Sequence, residues 1–288
     1  MIKLIATDMD GTLLNAAHEI SEENINAIKY AQSKGITVVI ATGRAFYEAS
    51  TPLAETDLKV PYICLNGAEV RDESFNIMNT SHLNHELVER IKSILDREDV
   101  YYQVYTNRGI YTEDPTRDLD IYLDIARNAG QQGDVEKIKA GIQKRIDNGT
   151  LKIVDNYKDI EDIPGELIMK VLAFNPDLEK IERIGKELSA ISSLAVSSSS
   201  RGNLEITHSD AQKGIALETI ANQLHIDLNE VMAIGDNLND ASMLERVGYP
   251  VAMDNAMPEV KAIAKLVTDT NEHSGVGKAI MKVLTEEK

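Results

Sequence analysis

Apolar residues along the chain fall into short unbroken runs separated by stretches with helical spacing. "IKLIAT" at 2–7 is apolar and rich in branched side chains, the pattern of a strand buried on both faces. Ser21 then heads "SEENINAIKYAQSKG". Glu22 and Glu23 stand in the electropositive first turn, Ile25, Ile28 and Ala31 recur at helical spacing, and Gly35 stops the segment. "ITVVIATG" (36–43) and "VPYICLNG" (60–67) repeat the buried-strand pattern. Strand and helix in alternation predict an α/β fold, a parallel sheet with crossover helices. Ligands in such sheets bind beyond the carboxyl ends of the strands, where Asp8, Thr42 and Asn66 fall.

The rhythm changes near residue 84. After "NGAEVRDESFNIMN", which reads as a short hairpin, Asn84 caps a helix at "NHELVERIKSILDRED", and "VYYQVYT" and "GIYTE" read as aromatic strands. Helical patterns at 116–130 and 134–147 follow, then strands at "LKIVDN" and "ELIMKVLAF", a helix at "DLEKIERIGKELSAI", and strands near "LAVSSSS" and "NLEITH". This block lacks the buried strand–helix alternation and reads as an inserted α+β domain over 84–204. From Lys213 the first rhythm resumes with helix "KGIALETIANQL", strand "VMAIGD", helix "DASMLERV", strand "YPVAM", helix "PEVKAIAK", strand "LVTD" and a closing helix "GVGKAIMKVL". The core is therefore expected in two pieces, 1–83 and 205–288.

Charge and composition narrow the function. Thirty basic against 47 acidic residues leave a net charge of −17, which argues against nucleic acid or an anionic membrane as partner. The N-terminal "MIKLIATDMDG" matches neither a signal peptide nor a membrane span, and the single cysteine, Cys64, forms no internal disulfide and has no metal-site spacing. A cytoplasmic protein is expected.

The chemistry concentrates where the strands end. Asp8 and Asp10 are two apart in an extended segment, so both side chains can face one pocket. Two such carboxylates suit a division of labour between a nucleophile and a proton donor and acceptor, and a hard cation would screen their repulsion. Gly11 permits close backbone approach, and Thr12 offers a hydroxyl to fix the turn. Taken alone, this is equally an acidic turn after a strand. Three more strand ends add to it. "IATGR" offers the Thr42 hydroxyl and the Gly43 N–H to phosphate oxygens, Lys213 opens a helix after a polar loop, and "AIGDNLND" brings Asp236, Asn237, Asn239 and Asp240 with spacing that does not fit a calcium loop.

"DMDGTLL", "ATGR", "KG" at 213–214 and "GDNLND" together resemble the four ordered motifs of the haloacid dehalogenase superfamily. With "LNGA" before the insert and "VAMDNA" and "SGVGKAI" after it, nearly the whole chain resembles the Cof-like branch of small-molecule phosphatases. The resemblance implies a Rossmann-like core with an inserted cap and a magnesium-dependent phosphatase of small phosphorylated metabolites such as sugar phosphates. By the same resemblance Asp8 attacks phosphorus, and Asp10 protonates the leaving oxygen and then activates water. Magnesium is held by the Asp8 carboxylate, the Asp10 carbonyl and Asp236, with Asn237 as a further contributor. Met9 N–H, Thr42, Gly43 N–H, Lys213 and Asn239 bind the phosphoryl group, and Asp240 orients Lys213 or the metal loop. Asp254, His273 and Ser274 depart from the branch's usual pattern, outside the four motifs.

Other features read as structural. His82 and His85 are expected at the surface, tyrosines 101, 102, 105, 111 and 122 mostly in the core of the insert, Arg44 in an ion pair at the pocket edge, and Asn66–Gly67 in a type I′ turn or plain hairpin turn. A phosphomutase on a related scaffold would need a second phosphate site, and no compact arginine cluster marks one between 84 and 204. A signalling receiver would lack Asp10 and the insert. A non-catalytic phospho-metabolite sensor would have no need of the full catalytic set.

Overall fold

The computed structural model describes residues 1–119, Leu123, 135–199 and 202–286. The helix expected at 116–130 lies largely outside these residues, and Tyr122 wholly so. The chain divides into two compact units, Met1–Ser81 with Asp210–Lys288, and His82–Ser209.

In the first unit the strands are β1 (Leu4–Thr7), β2 (Thr37–Ala41), β3 (Tyr62–Cys64), β4 (Glu69–Arg71) and β5 (Ile77–Thr80). The second stretch of the chain adds β12 (Val231–Gly235), β13 (Tyr249–Ala252) and β14 (Leu266–Val267), with six strands of the other unit between them and β5 in the chain. They form one sheet in the order β14-β13-β12-β1-β2-β3-β4-β5. Pairing is parallel from β14 to β3, and β4 and β5 return antiparallel as the expected hairpin. β1 lies between β2 and β12, and its Leu4, Ile5 and Ala6 are wholly buried, which is why the run needs no polar alternation. Each such Leu or Ile contributes about 1.5–3 kcal/mol by leaving water.

The helix Glu22–Ser33 starts where expected, with the Ser21 side chain accepting the Asn24 N–H. Its inward face holds Ala27, Ile28, Ala31 and a polar residue, Asn24. Asn24 is fully buried because its amide donates to the Leu13 carbonyl at 3.2 Å and its oxygen accepts the Gly277 N–H at 2.8 Å. The crossover from β2 to β3 is a five-residue helix, Phe46–Ser50, running into a 3-10 turn that contains Pro52. Asn66 (φ 58°) and Gly67 (φ 105°) adopt the left-handed conformations of a type I′ turn, closed by the Ala68 N–H on the Leu65 carbonyl at 3.1 Å. The helix expected at "DASMLERV" is shorter, Ala241–Leu244, preceded by a 3-10 turn at Leu238–Asp240. The Arg246 guanidinium then takes the Ser242 carbonyl at 2.9 Å as the chain turns toward β13.

The second unit carries β6 (Tyr101–Thr106), β7 (Gly109–Thr112), β8 (Leu151–Ile153), β9 (Ile168–Phe174), β10 (Leu194–Ser197) and β11 (Asn203–His208). They form a sheet in the order β10-β11-β9-β6-β7-β8, antiparallel except for β7 with β8. Helices His85–Arg97 and Leu178–Ser189 bury Ile91, Leu95, Ile184 and Leu188 in one cluster with Tyr102, Val104, Val171 and Ile206. A short helix at Lys158–Glu161 has no counterpart in the sequence reading, since four residues are too few for periodicity to register. Tyr101, Tyr102, Tyr105 and Tyr111 are buried, while His85 is exposed and bonds Glu161. Among the described residues no helix is long and apolar enough to cross a membrane.

Candidate active site

The chain leaves β1 toward β2 and β3 on one side and, much later, returns to place β12 and β13 on the other. Asp8 follows β1 and Asp236 follows β12, so the two acids flank the point where the strand order reverses. Thr42 follows β2 on the neighbouring side, and its buried backbone is fixed by its N–H on the Ile63 carbonyl at 2.8 Å. The Thr42 hydroxyl accepts the Arg44 N–H at 3.1 Å, and this turn presents Gly43.

Lys213 opens the helix Lys213–Gln223 and is fully buried. Its Nζ donates to Asp8 Oδ1 at 2.6 Å and to Asp240 Oδ1 at 2.7 Å. The other oxygen of Asp240 accepts the N–H groups of Asp236 and Asn237 at 2.9 and 3.0 Å. One buried carboxylate thus holds both the lysine and the loop that carries Asp236. Asn237 caps the 3-10 turn, its Oδ1 accepting the Leu238 N–H at 2.8 Å. Asn239 is nearly buried and lies 3.5 Å from Asn66 Oδ1, which brings the β3–β4 turn to the same place. Met9 is buried, and its carbonyl accepts the Thr12 and Leu14 N–H groups at 3.2 and 2.9 Å.

Thr12 acts further away than its position suggests. Its hydroxyl donates to Asp236 Oδ1 at 2.8 Å, so it ties the β1 loop to the β12 loop rather than fixing only its own turn. Gly11, at φ +77°, sits so close that a Cβ there would meet Asp236 Oδ2 at 2.5 Å. Asn255 and Asn271, which sequence reasoning did not single out, clamp the same loop by donating to the Gly11 and Leu14 carbonyls at 2.7 and 2.9 Å. Asn255 belongs to the "VAMDNA" stretch, the one local signal that pointed near it. Of the three departures, Ser274 is in the left-handed conformation and bonds Ser21 at 2.8 Å, whereas Asp254 and His273 pair at the surface with Lys261 and Thr270.

Asp8, Asp236 and Asp240 offer carboxylate oxygens within 4.8 Å of one another, against the single ammonium of Lys213. Two unit charges about 4 Å apart repel by about 4 kcal/mol at an effective dielectric of about 20. Burial pushes the Asp8 carboxyl well above the usual carboxylate range, and Asp240 adds to it while Lys213 opposes. Burial and then Asp240 push Asp236 up to about 7, against the hydrogen bond from Thr12. For Lys213 burial disfavours the charge, but Asp240 and Asp8 outweigh it and hold the ammonium above lysine's usual range. Hard oxygens in excess of local positive charge, with Gly11 keeping the approach to Asp236 clear of a side chain, fit a small divalent cation. Asp240 is the least suited of the three to bind it, because its oxygens are taken by Lys213 and two N–H groups.

Asp10 stands apart from this cluster. Its side chain is 49% exposed and lies in a two-armed ion pair with Arg44, Nε to Oδ2 at 2.7 Å and Nη2 to Oδ1 at 2.5 Å. The expected edge ion pair of Arg44 is therefore made to the second acid of the opening motif.

A family model for haloacid dehalogenase-like hydrolases matches residues 5–280. The phosphatase YwpJ of Bacillus subtilis (strain 168) is 35% identical over 285 residues, covering 98% of this chain and 100% of that protein. The 5-amino-6-(5-phospho-D-ribitylamino)uracil phosphatase YwtE of the same organism is 33% identical, with 99% of each chain covered. The solved structure of a haloacid dehalogenase-like hydrolase from B. subtilis superposes with a TM-score of 0.88 at 35% identity, over 97% of this chain and 99% of the other.

Proposed function

The chain belongs to the haloacid dehalogenase-like hydrolases and is a small-molecule phosphatase, and from that premise we propose that it is magnesium-dependent, works through an aspartyl-phosphate on Asp8, and takes a phosphorylated sugar or sugar-alcohol group. The observation that carries the reading is the buried Asp8, held by Lys213 at 2.6 Å beside Asp236 at the strand ends.

An Asp8 oxygen attacks phosphorus and forms a P–O bond as the bond to the leaving group breaks. The electron pair stays on the departing ester oxygen, which takes a proton from Asp10. Asp10, then ionised, removes a proton from water as its oxygen attacks phosphorus, and the P–O bond to Asp8 breaks with its pair returning to the carboxylate. Lys213 aligns Asp8 and, with Thr42, the Gly43 and Met9 N–H groups and Asn239, holds the phosphoryl oxygens in place. The Asp8 carboxylate, the Asp10 carbonyl and Asp236 would hold magnesium, with Asn237 capping the loop beside them as a further contributor. The bound ion supplies positive charge that offsets the crowded carboxylates and the phosphoryl group.

The sugar or sugar-alcohol part of the reading is supported by the relative whose name carries a phosphoribityl group. Choice among leaving groups is assigned to the inserted unit, His82–Ser209, acting as a cap.

Phosphate release from an aryl phosphate, with magnesium and with EDTA, tests the mechanism. Activity should vanish with EDTA and in Asp8→Asn, and Asp10→Asn should lose steady-state turnover by at least about 100-fold. Full activity in Asp8→Asn, or turnover that ignores EDTA, overturns it. A panel of phosphorylated sugars, sugar alcohols and non-sugar metabolites tests the substrate class, which fails if the non-sugars are preferred.

A further inference from the structure

We infer that Arg44 is the positioning residue of the acid–base carboxylate Asp10, and that it does this through a two-armed ion pair whose Nη2 arm is steadied by His18. The inference rests on the role proposed above for Asp10.

Asp10 is the one acid of the opening motif outside the buried cluster, and its side chain is 49% exposed. What fixes it is the Arg44 guanidinium, 22% exposed, which takes both carboxylate oxygens in the planar fork that only arginine offers. Arg44 is itself well anchored. Its N–H bonds the Thr42 hydroxyl at 3.1 Å, its carbonyl accepts the Leu65 N–H at 2.9 Å, and Nη1 reaches the Glu48 carbonyl at 3.5 Å. The acid following β1 is thus oriented from the loop that carries Thr42 and Gly43, so acid and phosphoryl-binding groups share one rigid support.

Each Asp10 oxygen accepts one of these bonds and keeps a further lone pair for the proton it must give. Nη2 has a second N–H, and an acceptor for it is at hand. His18 Nδ1 lies 3.2 Å from Nη2 and 3.8 Å from Asp10 Oδ1. A guanidinium has no acceptor, so Nδ1 accepts in this contact. His18 is held there with φ 60° by a loop in which its N–H bonds the Asn15 carbonyl at 2.9 Å. Nη2 therefore holds Asp10 Oδ1 and His18 Nδ1 together, one with each of its N–H groups, and Asp10 stays aimed.

A positioning role for Arg44 predicts a dependence on the leaving group that a structural role does not. The value of kcat/KM covers the steps through phosphoryl transfer to Asp8, in which Asp10 gives its proton. That proton matters little for 4-nitrophenolate and much for phenolates of low acidity. We would measure kcat/KM for 4-nitrophenyl, phenyl and 4-methoxyphenyl phosphate with magnesium, in wild type, Asp10→Asn, Arg44→Gln, Arg44→Lys and His18→Ala. Asp10→Asn and Arg44→Gln should both lose roughly tenfold more on the two poorer leaving groups than on 4-nitrophenyl phosphate. Arg44→Lys should recover part of that excess, and His18→Ala should show a smaller one. If Arg44→Gln and Arg44→Lys fall equally on all three esters while Asp10→Asn shows the excess, the positioning role is wrong and the mechanism stands. If His18→Ala alone shows none, His18 does not steady the guanidinium and that half of the inference falls. If Asp10→Asn itself shows no excess, the acid role of Asp10 fails and the inference with it. Arg44→Lys keeps a cation at the site, so it carries the comparison should Arg44→Gln melt at the assay temperature.

Discussion

Crowding three carboxylates around one buried ammonium should make the metal-free protein lose stability as pH rises, the reverse of the usual behaviour of paired acids. Asp236 sets the size of the effect. In the folded chain its carboxyl is raised from 3.8 to about 7, first by burial and then by Asp240. Below 3.8 the group is neutral in both states and costs nothing. Between 3.8 and about 7 the unfolded chain ionises while the folded chain resists, so stability falls across that window and levels off above it. A displacement of that size is worth on the order of 4 kcal/mol, and Asp8 moves in the same direction. For a unit of this size such a loss lowers the melting temperature by about 8–16 °C. Magnesium should reverse it only above the window, because a cation replaces the missing counter-charge only where the carboxylates are ionised. The assay is thermal melting from about pH 4 to about pH 8, in EDTA and in millimolar magnesium, for wild type and Asp236→Asn. In EDTA the wild type should slope downward and Asp236→Asn should be flatter, with the two converging at low pH. Parallel slopes in EDTA, or a magnesium shift as large at pH 4 as at pH 8, would refute the reasoning.

Two other substitutions separate site from scaffold. Lys213→Met leaves Asp8 and Asp240 buried without their shared cation, so it should cost about 3–5 kcal/mol in urea denaturation, and adding Asp240→Asn should restore part of it. Asn24→Leu leaves the Leu13 carbonyl and the Gly277 N–H buried without partners, so the urea midpoint should fall by the equivalent of about 2–4 kcal/mol while kcat/KM stays within about twofold of wild type.

How much of this was legible in the sequence depended on whether a residue's partner lies nearby along the chain or only in space. The strands β1, β2 and β12 were readable because burial on both faces demands continuous apolar runs, and the acids and hydroxyls that follow them mark the strand ends. The cap on the first helix was readable because Ser21 and Asn24 are three residues apart. Thr12 was read as a local turn residue, yet its hydroxyl bonds Asp236, a residue 224 positions away. Asn24, Asn255 and Asn271 escaped notice for the same reason, since an asparagine that bonds a distant backbone looks like one that bonds water. For Arg44 an ion pair was legible, but which acid it holds depends on how the β2 loop folds back toward β1. The one-armed reach of Arg44 to His18 requires the left-handed turn at His18, which no pattern of polarity reveals.

The placement of β1 has a consequence for how the protein is made. Its partners are β2, which follows within a few dozen residues, and β12, which pairs Leu4–Thr7 with Val231–Ile234. At about 5–20 residues per second of synthesis, roughly ten to forty seconds separate the emergence of the two. Throughout that interval one edge of a wholly buried strand is unpaired, while His82–Ser209 is continuous in sequence and forms a compact unit of its own. The insert is therefore expected to fold first, and translation speed through residues 210–235 should decide how long the nascent core stays open to aggregation.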